Sequence, residues 1–282
     1  MLIGCVANAH GKITFTTVDV PGAAGTELWD INTAGKMVGA YYQTPYNWHA
    51  FKLSGGTFTF FDYPGAAWTI ATGINDSGVI VGYYFTGIGV VTYGFSYDGH
   101  TFTSIQHGSD TITLAQGINN AGQIVGVSGT TQGQVGFELS NMLFTLIRPP
   151  GRQNYLYASA NGINSAGDIV GHIFTYTNIF QGFHYTAGKF QGLNYPGATS
   201  TYVFGINDNR IVVGGYRYTN AAEFGFATRT GQFVKMVYPG AVTTVCVGIN
   251  LSGLIVGSYS DANGVNHGFV TTPIKAGDFA AH

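Results

Sequence analysis

The stretch GINDSGVIVGYY at residues 73–84 decides the fold, because nearly the same phrase occurs six times in the 282-residue chain. Its asparagine recurs at intervals of 43 to 45 residues. The copies lack the apolar stripe of a helix and are rich in strand-forming residues, and a period of this length is typical of a four-stranded propeller blade. The recurring asparagines are Asn32, Asn75, Asn119, Asn164, Asn207 and Asn250.

The second copy indicates how one repeat divides into four strands. Residues 69–75 form an inner strand a, and the polar turn NDSG leads to strand b at 79–84. Strand c at 93–97 and strand d at 101–105 follow, joined by the turn DGH. Most copies then return to the next strand a through a Pro-Gly loop. We expect the other copies to divide in the same way.

The two ends of the repeat region predict how the fold closes. The chain opens with a d-type strand at 13–20 and ends with a c-type strand at 267–272, so the last repeat lacks its own strand d. The N-terminal strand completes that repeat and leaves no unpaired end. We predict an all-β chain with a single six-bladed β-propeller at 12–272, four strands per blade. A leader remnant or disordered tail precedes it at 1–11, and a C-terminal tail follows at 273–282.

The composition excludes several classes of function. Charged residues make up only 9% of the chain, the formal net charge is −2, and no run of Lys and Arg occurs, which excludes a nucleic-acid partner. No window of about 18 apolar residues occurs, so no membrane span is predicted. The histidines lack zinc-binding spacing, and Asn161 with Asp30 alone would not complete an oxygen cage for calcium. We predict no metal and no cofactor.

The first residues, MLIGCVANAH, bear on localisation. A short apolar run followed by Ala7-Asn8-Ala9 resembles the end of a secretory signal, and LIGC resembles a lipoprotein box. Either pattern predicts a secreted or extracellular protein, with periplasmic and lipid-anchored locations as variants and a plain disordered terminus as the alternative. Cys5 and Cys246 are predicted to be free thiols, and a disulfide between them is the alternative.

The repeat phrase also resembles a known family. HAF at 49–51, Gly-Phe at the matching place of every other copy, and GIN-x-x-G-x-I-V-G are similar to the HAF family of probable extracellular repeats. The resemblance covers roughly residues 12–272 and implies an exported protein, without implying a particular activity. Only the first and last copies keep the histidine, as His49 and His267, so we expect that histidine to have a structural role.

The first copy departs most from the others, and it does so in strand a. It carries Glu27, Trp29 and Asp30 where the other copies have uncharged residues, with glycine at every position equivalent to Asp30. An acid near the axis without a partner has a raised pKa, which suits general acid–base catalysis. Glu27 and Asp30 are therefore candidate catalytic residues, although side chains three apart on a flat strand would not face each other. The alternative is a solvated Glu27 and an Asp30 bonded to backbone amides.

Strand ends supply the remaining candidates, because a single site on a ring of similar repeats must break their symmetry. His172 is the only histidine and Arg217 the only cation at the ends of the b strands, and both are candidate catalytic residues. Aromatic faces stack on sugar rings, and Arg binds carboxylate and hydroxyl groups. The candidate ligand-binding residues are Trp29, Trp68, Tyr84, Arg148, Tyr202, Tyr218 and Tyr259.

These candidates fit three functions, and the fold alone does not choose among them. We favour a monomeric module that binds a carbohydrate or similar polar small ligand at the mouth of the central channel. The first alternative is a polysaccharide lyase or glycoside hydrolase that uses the acid, His, Tyr and Arg set. The second alternative is a scaffold for protein partners.

Overall fold

A computed structural model describes residues 6–7, 13–44, 47–87, 91–151, 155–219 and 222–279. These residues form 25 β-strands and one 3₁₀ helix, Ala276–Phe279. The described part of the chain is therefore all-β, as predicted. It contains no helix that is both long and apolar enough to cross a membrane.

The strands group into six consecutive units, each an antiparallel meander whose strands we call a to d in the order of pairing. Two strands precede the first unit: β1 (Val6–Ala7) and β2 (Thr14–Val18). Unit 1 contains β3 (Gly25–Ile31), β4 (Met37–Tyr42), β5 (Trp48–Ser54) and β6 (Thr57–Phe61). Unit 2 contains β7 (Trp68–Ile74), β8 (Ile80–Phe85), β9 (Thr92–Tyr97) and β10 (Phe102–Ile105). Unit 3 contains β11 (Ile112–Ile118), β12 (Ile124–Thr130), β13 (Gly133–Ser140) and β14 (Leu143–Ile147).

The second half of the chain repeats the same arrangement. Unit 4 contains β15 (Tyr155–Ile163), β16 (Ile169–Thr175), β17 (Phe180–Thr186) and β18 (Lys189–Gly192). Unit 5 contains β19 (Ser200–Ile206), β20 (Val212–Arg217), β21 (Glu223–Arg229) and β22 (Gln232–Met236). Unit 6 contains β23 (Thr243–Ile249), β24 (Ile255–Ser260) and β25 (Asn266–Thr271).

The fourth strand of unit 6 comes from the start of the chain. β2 runs antiparallel to β25, from Phe15 opposite Thr271 to Val18 opposite Gly268. This is the pairing that the d-type strand predicted at 13–20 requires. β1 in turn pairs with β2. Cys246 is a buried free thiol in β23, whereas Cys5 lies outside the described residues.

The recurring asparagines form a closed ring of hydrogen bonds. The Nδ2 of each asparagine donates to the backbone oxygen of the asparagine in the next unit, at 2.9 to 3.4 Å, and Asn250 donates to Asn32. The Oδ1 of each accepts a bond from the backbone N–H four residues on, as Asn207 does from Ile211 at 3.0 Å. All six side chains are buried. One residue type therefore fixes the hairpin corner and links neighbouring units.

The glycine that ends the repeated apolar phrase contacts the phenylalanine of the Gly-Phe pair of the same unit, or of HAF in unit 1. A Cβ built on Gly214 would lie 2.1 Å from the carbonyl oxygen of Tyr202 and 2.8 Å from the ring of Phe226. No side chain fits there, so the phenylalanine ring fills the space. The same contact recurs at Gly39, Gly82, Gly126, Gly171, Gly214 and Gly257.

The apolar core is divided among the junctions between units. Six buried clusters each combine residues of two neighbouring units. One of them joins Val18 and Val256 of unit 6 to Leu28 and Phe51 of unit 1. The Val of the repeated phrase packs at the junction with the next unit, as Val81 does, and the Ile packs at the junction with the preceding unit, as Ile80 does.

Every inner strand contains a β-bulge that sequence reasoning did not anticipate. In β3 the pairing with β4 shifts between Leu28 and Asp30, so Trp29 is an extra residue. The bulge changes the alternation of side chains, and Glu27 and Asp30 lie opposite Ala40 and Val38, on one face of the sheet. The six extra residues are Trp29, Thr72, Gln116, Asn161, Phe204 and Val247.

The asparagine ring predicts a large effect of a small substitution. Asn207→Ala removes one of the two hydrogen bonds to the buried Asn250 backbone oxygen and leaves the Ile211 N–H without its partner, so we expect the free energy of unfolding in urea to fall by about 2 to 4 kcal/mol. Asn209→Ala is the control, because that exposed amide bonds to Leu251 from the surface and should cost no more than about 0.5 kcal/mol. Equal losses in the two variants would contradict the role of the ring.

Candidate functional site

The six bulge residues line a central cavity to which all the units contribute. Its volume is about 50 Å³. Since a water molecule needs about 10 to 15 Å³ by this measure, the cavity holds a few waters and is too small for a sugar ring. A second cavity of about 90 Å³ lies beside the asparagine ring, and Asp30 borders both. A ligand the size of a monosaccharide must therefore bind outside these cavities.

Asp30 occupies a place that glycine fills in the other five units. Its Oδ1 accepts a bond from the backbone N–H of Ile31 at 2.8 Å, and its Oδ2 accepts one from Ile74 of unit 2 at 2.9 Å. Burial raises the pKa of Asp30 to about 7, and these two bonds oppose the rise. The carboxyl group therefore titrates near neutral pH while bridging two units through backbone amides.

Glu27 and Trp29 form a second polar feature of unit 1. The Oε1 of Glu27 accepts a bond from Asn266 Nδ2 of unit 6 at 3.0 Å, and burial raises the pKa of Glu27. The buried Nε1 of Trp29 makes no hydrogen bond of normal geometry in the described part of the chain, although Trp29 lies close enough to Glu27 to oppose the rise of its pKa. Although Glu27 and Asp30 lie on one face, they bond to opposite neighbours, unit 6 and unit 2.

The cavity wall continues into a cluster between units 4 and 5, which we call the mouth cluster: Asn161, His172, Phe180, Tyr202, Phe204, Arg217 and Glu223. Asn161 Nδ2 donates to His172 Nδ1 at 3.1 Å and to the Val203 oxygen at 2.7 Å. Burial lowers the pKa of His172 to about 4, so the ring is neutral at physiological pH. His172 meets the rings of Phe180 and Phe204 edge-on.

The outer part of the mouth cluster combines aromatic faces with opposite charges. The rings of Phe180 and Tyr202 lie 4.4 Å apart, and the guanidinium carbon of Arg217 lies 5.9 Å from the centre of the Tyr202 ring. Glu223 is paired across the strands with Arg217, which is exposed. Burial raises the pKa of Glu223, and the charge of Arg217 opposes that rise. The cluster offers a ring surface, a strong donor and an acceptor side by side.

Sequence reasoning identified His172, Tyr202 and Arg217 of this cluster and missed Phe180 and Glu223. The sequence signal for Glu223 lies at the first position of the c strands. Glu223 is the only acid at that position; its equivalents are Trp48, Thr92, Gln134, Phe180 and Asn266.

The other predicted ligand-binding residues lie apart from the mouth cluster. Tyr84 is stacked between Tyr63 and Tyr93, and Tyr259 between Tyr238 and His267. Both have their two ring faces covered by aromatic groups of the protein.

Three further candidates lie near the outside of the fold. Trp68 packs against Tyr83 and Phe85 at the start of unit 2. Tyr218 follows β20 and meets Tyr216 edge-on. Arg148 is exposed after β14. The candidates therefore divide between the mouth cluster, the unit 1 acids and separate surface positions.

The two histidines of the family phrase each bond to an acid that follows strand d of the same unit. His49 Nδ1 lies 2.7 Å from Asp62, and His267 Nδ1 lies 2.9 Å from Asp19. These contacts tie strand c to the end of strand d, which fits the structural role expected for this histidine.

Comparison with known proteins identifies the fold. No family model matches the chain, and no curated protein matches it. Among solved structures it is similar to the fucose-specific lectin of Aleuria aurantia, with 10% identity, 93% of this chain and 99% of that one covered, and a TM-score of 0.53. That lectin is a six-bladed β-propeller.

Two further solved structures have comparable similarity. The SapL1 lectin in complex with α-methyl fucoside shares 9% identity, with 86% and 90% of the chains covered and a TM-score of 0.56. TolB from Acinetobacter baumannii shares 10% identity, with 89% and 64% covered and a TM-score of 0.56. At these identities the similarity establishes an all-β fold of the β-propeller type and nothing about activity.

Asp30 predicts a pH dependence of stability. Its folded-state pKa of about 7 lies above its ordinary value of 3.8, so its contribution is complete below about pH 4 and is lost as the pH rises through 7. Asp30→Gly gives unit 1 the residue of the other units and removes this contribution to stability. We expect the stability of the natural chain relative to the variant to be greater at pH 5 than at pH 8, by up to about 2 to 3 kcal/mol.

Urea unfolding of both chains across this pH range measures the difference, and the other titrating groups cancel because both chains share them. Parallel stability curves for the two proteins would refute the raised pKa.

Proposed function

We propose that the six units are the blades of one closed six-bladed propeller. Three observations support closure: the asparagine ring returns from Asn250 to Asn32, β2 completes unit 6, and a core cluster joins unit 6 to unit 1. A closed ring leaves no inner strand without a neighbour.

We propose that the protein binds a carbohydrate at the mouth cluster. The observation that carries the proposal is the pair of adjoining rings Phe180 and Tyr202, tilted by 39°, beside the charged pair Arg217 and Glu223. A pyranose ring presents an apolar C–H face to aromatic rings, and its hydroxyl groups accept from a guanidinium and donate to a carboxylate. Arg217 is exposed and Phe180, Tyr202 and Glu223 are half-buried, so the outer part of the cluster faces solvent, whereas the cavity on the axis is too small for a sugar ring.

The fold neighbours support fucose as the first sugar to test. Two of them are lectins, one fucose-specific and one bound to α-methyl fucoside. A deoxysugar also suits the mouth cluster chemically, because its methyl group adds apolar surface for Phe180 and Tyr202. Export of the protein is part of the same proposal and is supported by the resemblance to extracellular repeats; secretion from cells that express the complete gene tests it.

Calorimetric titration with α-methyl fucoside and with the methyl glycosides of galactose and glucose tests the binding proposal. We expect one of these sugars to bind the natural chain without being consumed. Tyr202→Ala and Arg217→Ala should each weaken that binding about 5- to 150-fold, because each removes a contact of about 1 to 3 kcal/mol.

Arg148→Ala is the matched control, because it removes an exposed arginine elsewhere and should leave the affinity unchanged. No binding of any of the sugars, or equal losses in Arg217→Ala and Arg148→Ala, would reject the mouth cluster as the site.

Closure of the ring predicts that the first strand is essential for the whole fold. Phe15 in β2 is buried against Tyr238 and Phe269. We expect Phe15→Ala to lower the free energy of unfolding by about 3 to 5 kcal/mol in a single cooperative transition. Phe60→Ala in the exposed β6 should cost less than about 1 kcal/mol. A partial transition confined to unit 6 would contradict closure.

A further inference from the structure

The chain contains a repeated packing of two tyrosines. In three junctions, a tyrosine that precedes the Pro-Gly loop stacks on a tyrosine of the following strand b, with ring centres 3.6 Å apart and planes within 8°. In each case the loop supplies one ring and the strand the other. The pairs are Tyr63 on Tyr84, Tyr195 on Tyr216, and Tyr238 on Tyr259.

Unit 1 has the strand tyrosine of this pair without the loop tyrosine. The backbone fixes the equivalence, because the Val20 N–H donates to Thr26 Oγ1 at 3.0 Å as the Tyr238 N–H donates to Thr244 Oγ1 at 3.0 Å. Thr26 pairs with Tyr41 across the strands as Thr244 pairs with Tyr259. Tyr41 is thus the strand tyrosine, and Val20 stands where the loops before units 2, 5 and 6 carry the stacked tyrosine.

Unit 1 differs from unit 6 at a second position beside the strand tyrosine, where an aromatic residue stands in place of a polar one. In unit 6, Thr17 of strand d bonds to the hydroxyl groups of both stacked tyrosines, Tyr238 at 2.6 Å and Tyr259 at 3.1 Å. The equivalent residue of unit 1 is Phe60, since Phe60 pairs with Phe51 as Thr17 pairs with Phe269.

Phe60 lies at the surface beside the strand tyrosine. Its ring centre is 5.1 Å from that of Tyr41, its plane is tilted by 58°, and it is 51% exposed. An exposed phenylalanine beside a half-buried tyrosine gives unit 1 an aromatic surface that the protein itself does not cover. His49, held by Asp62 at 2.7 Å, packs against Tyr41 and adds a polar group at its side.

We propose that Tyr41 and Phe60 form a binding site for a small ligand that carries a phenol-like ring. The other junctions supply the evidence for the ligand class, because three times in this chain the same position is filled by the ring of a tyrosine attached through the loop. In unit 1 the ring would come from a free molecule. Val20 is 4% exposed and joins the core beneath this position, but it lacks the ring that reaches over the strand tyrosine.

p-Cresol, the side chain of tyrosine as a free molecule, is the probe that tests this site. We expect saturable binding to the natural chain, of the order of 1 mM by NMR titration, as suits a fragment of this size. Tyr41→Ala should weaken it about tenfold, because the aromatic contact is lost. Val20→Tyr should abolish binding and raise the melting temperature, because an attached ring then fills the site.

Tyr63→Val tests the converse change in unit 2, because it should give that unit a ligand site like the one in unit 1. It removes the loop ring from Tyr84 and should create a second p-cresol site in unit 2. If Val20→Tyr fails to fold, the p-cresol affinities of the natural chain and of Tyr41→Ala test the proposal by themselves. Absence of saturable binding, or equal affinity in Tyr41→Ala, overturns the proposal.

Competition separates this site from the mouth cluster. α-Methyl fucoside should leave p-cresol binding unchanged, because the mouth cluster is built from units 4 and 5. Displacement of p-cresol by the fucoside would overturn the assignment of an aromatic ligand to unit 1. Failure of the fucoside to bind anywhere would reject the mouth cluster alone and leave the p-cresol result intact.

Discussion

The structure depends on one hydrogen-bonded asparagine that occurs six times. Its side chain accepts from its own hairpin and donates to the next unit, so the geometry of a corner and the spacing of two units are set together. Each donor and acceptor is buried, and an unpaired group there is costly. Because the last bond returns to the first unit, every copy both donates to one neighbour and accepts from the other. This explains why the phrase is repeated with so little variation.

The same constraint determines where ligands can bind. Inner strands that approach closely enough to share asparagine bonds leave a central cavity for a few waters only. Asp30 is a charged residue at a position that is glycine in the other units, and burial there raises the pKa of its carboxyl group to about 7. Arg217, by contrast, is exposed at the end of its strand, so its charge keeps most of its hydration. Sequence variation at strand ends and in loops therefore lowers the stability of the fold little, and both proposed sites lie there.

The sequence predicted those features that repeat and that follow from local chemistry. The period, the four strands of each unit and the pairing of the first strand with the last agree with the strand bounds and registers. The bulges were missed, because no residue type marks them: the extra residue ranges from Trp29 to Val247. A bulge is visible only in the pairing of two strands, and it altered the expected facing of Glu27 and Asp30. Glu223 was missed for a different reason, since it is brought beside Arg217 only by the pairing of β20 with β21.

The two proposed sites arise by opposite changes to the repeat. The mouth cluster adds groups that the other units lack, namely a charged pair beside two rings. The unit 1 site removes a group that other units have, the loop tyrosine, and leaves its partner ring in place. In a repeat protein an absent side chain is as informative as an added one, because the other copies show what would have filled the space. Tyr84 is stacked on a loop tyrosine and Tyr41 is not, although both read as the same residue in the same phrase.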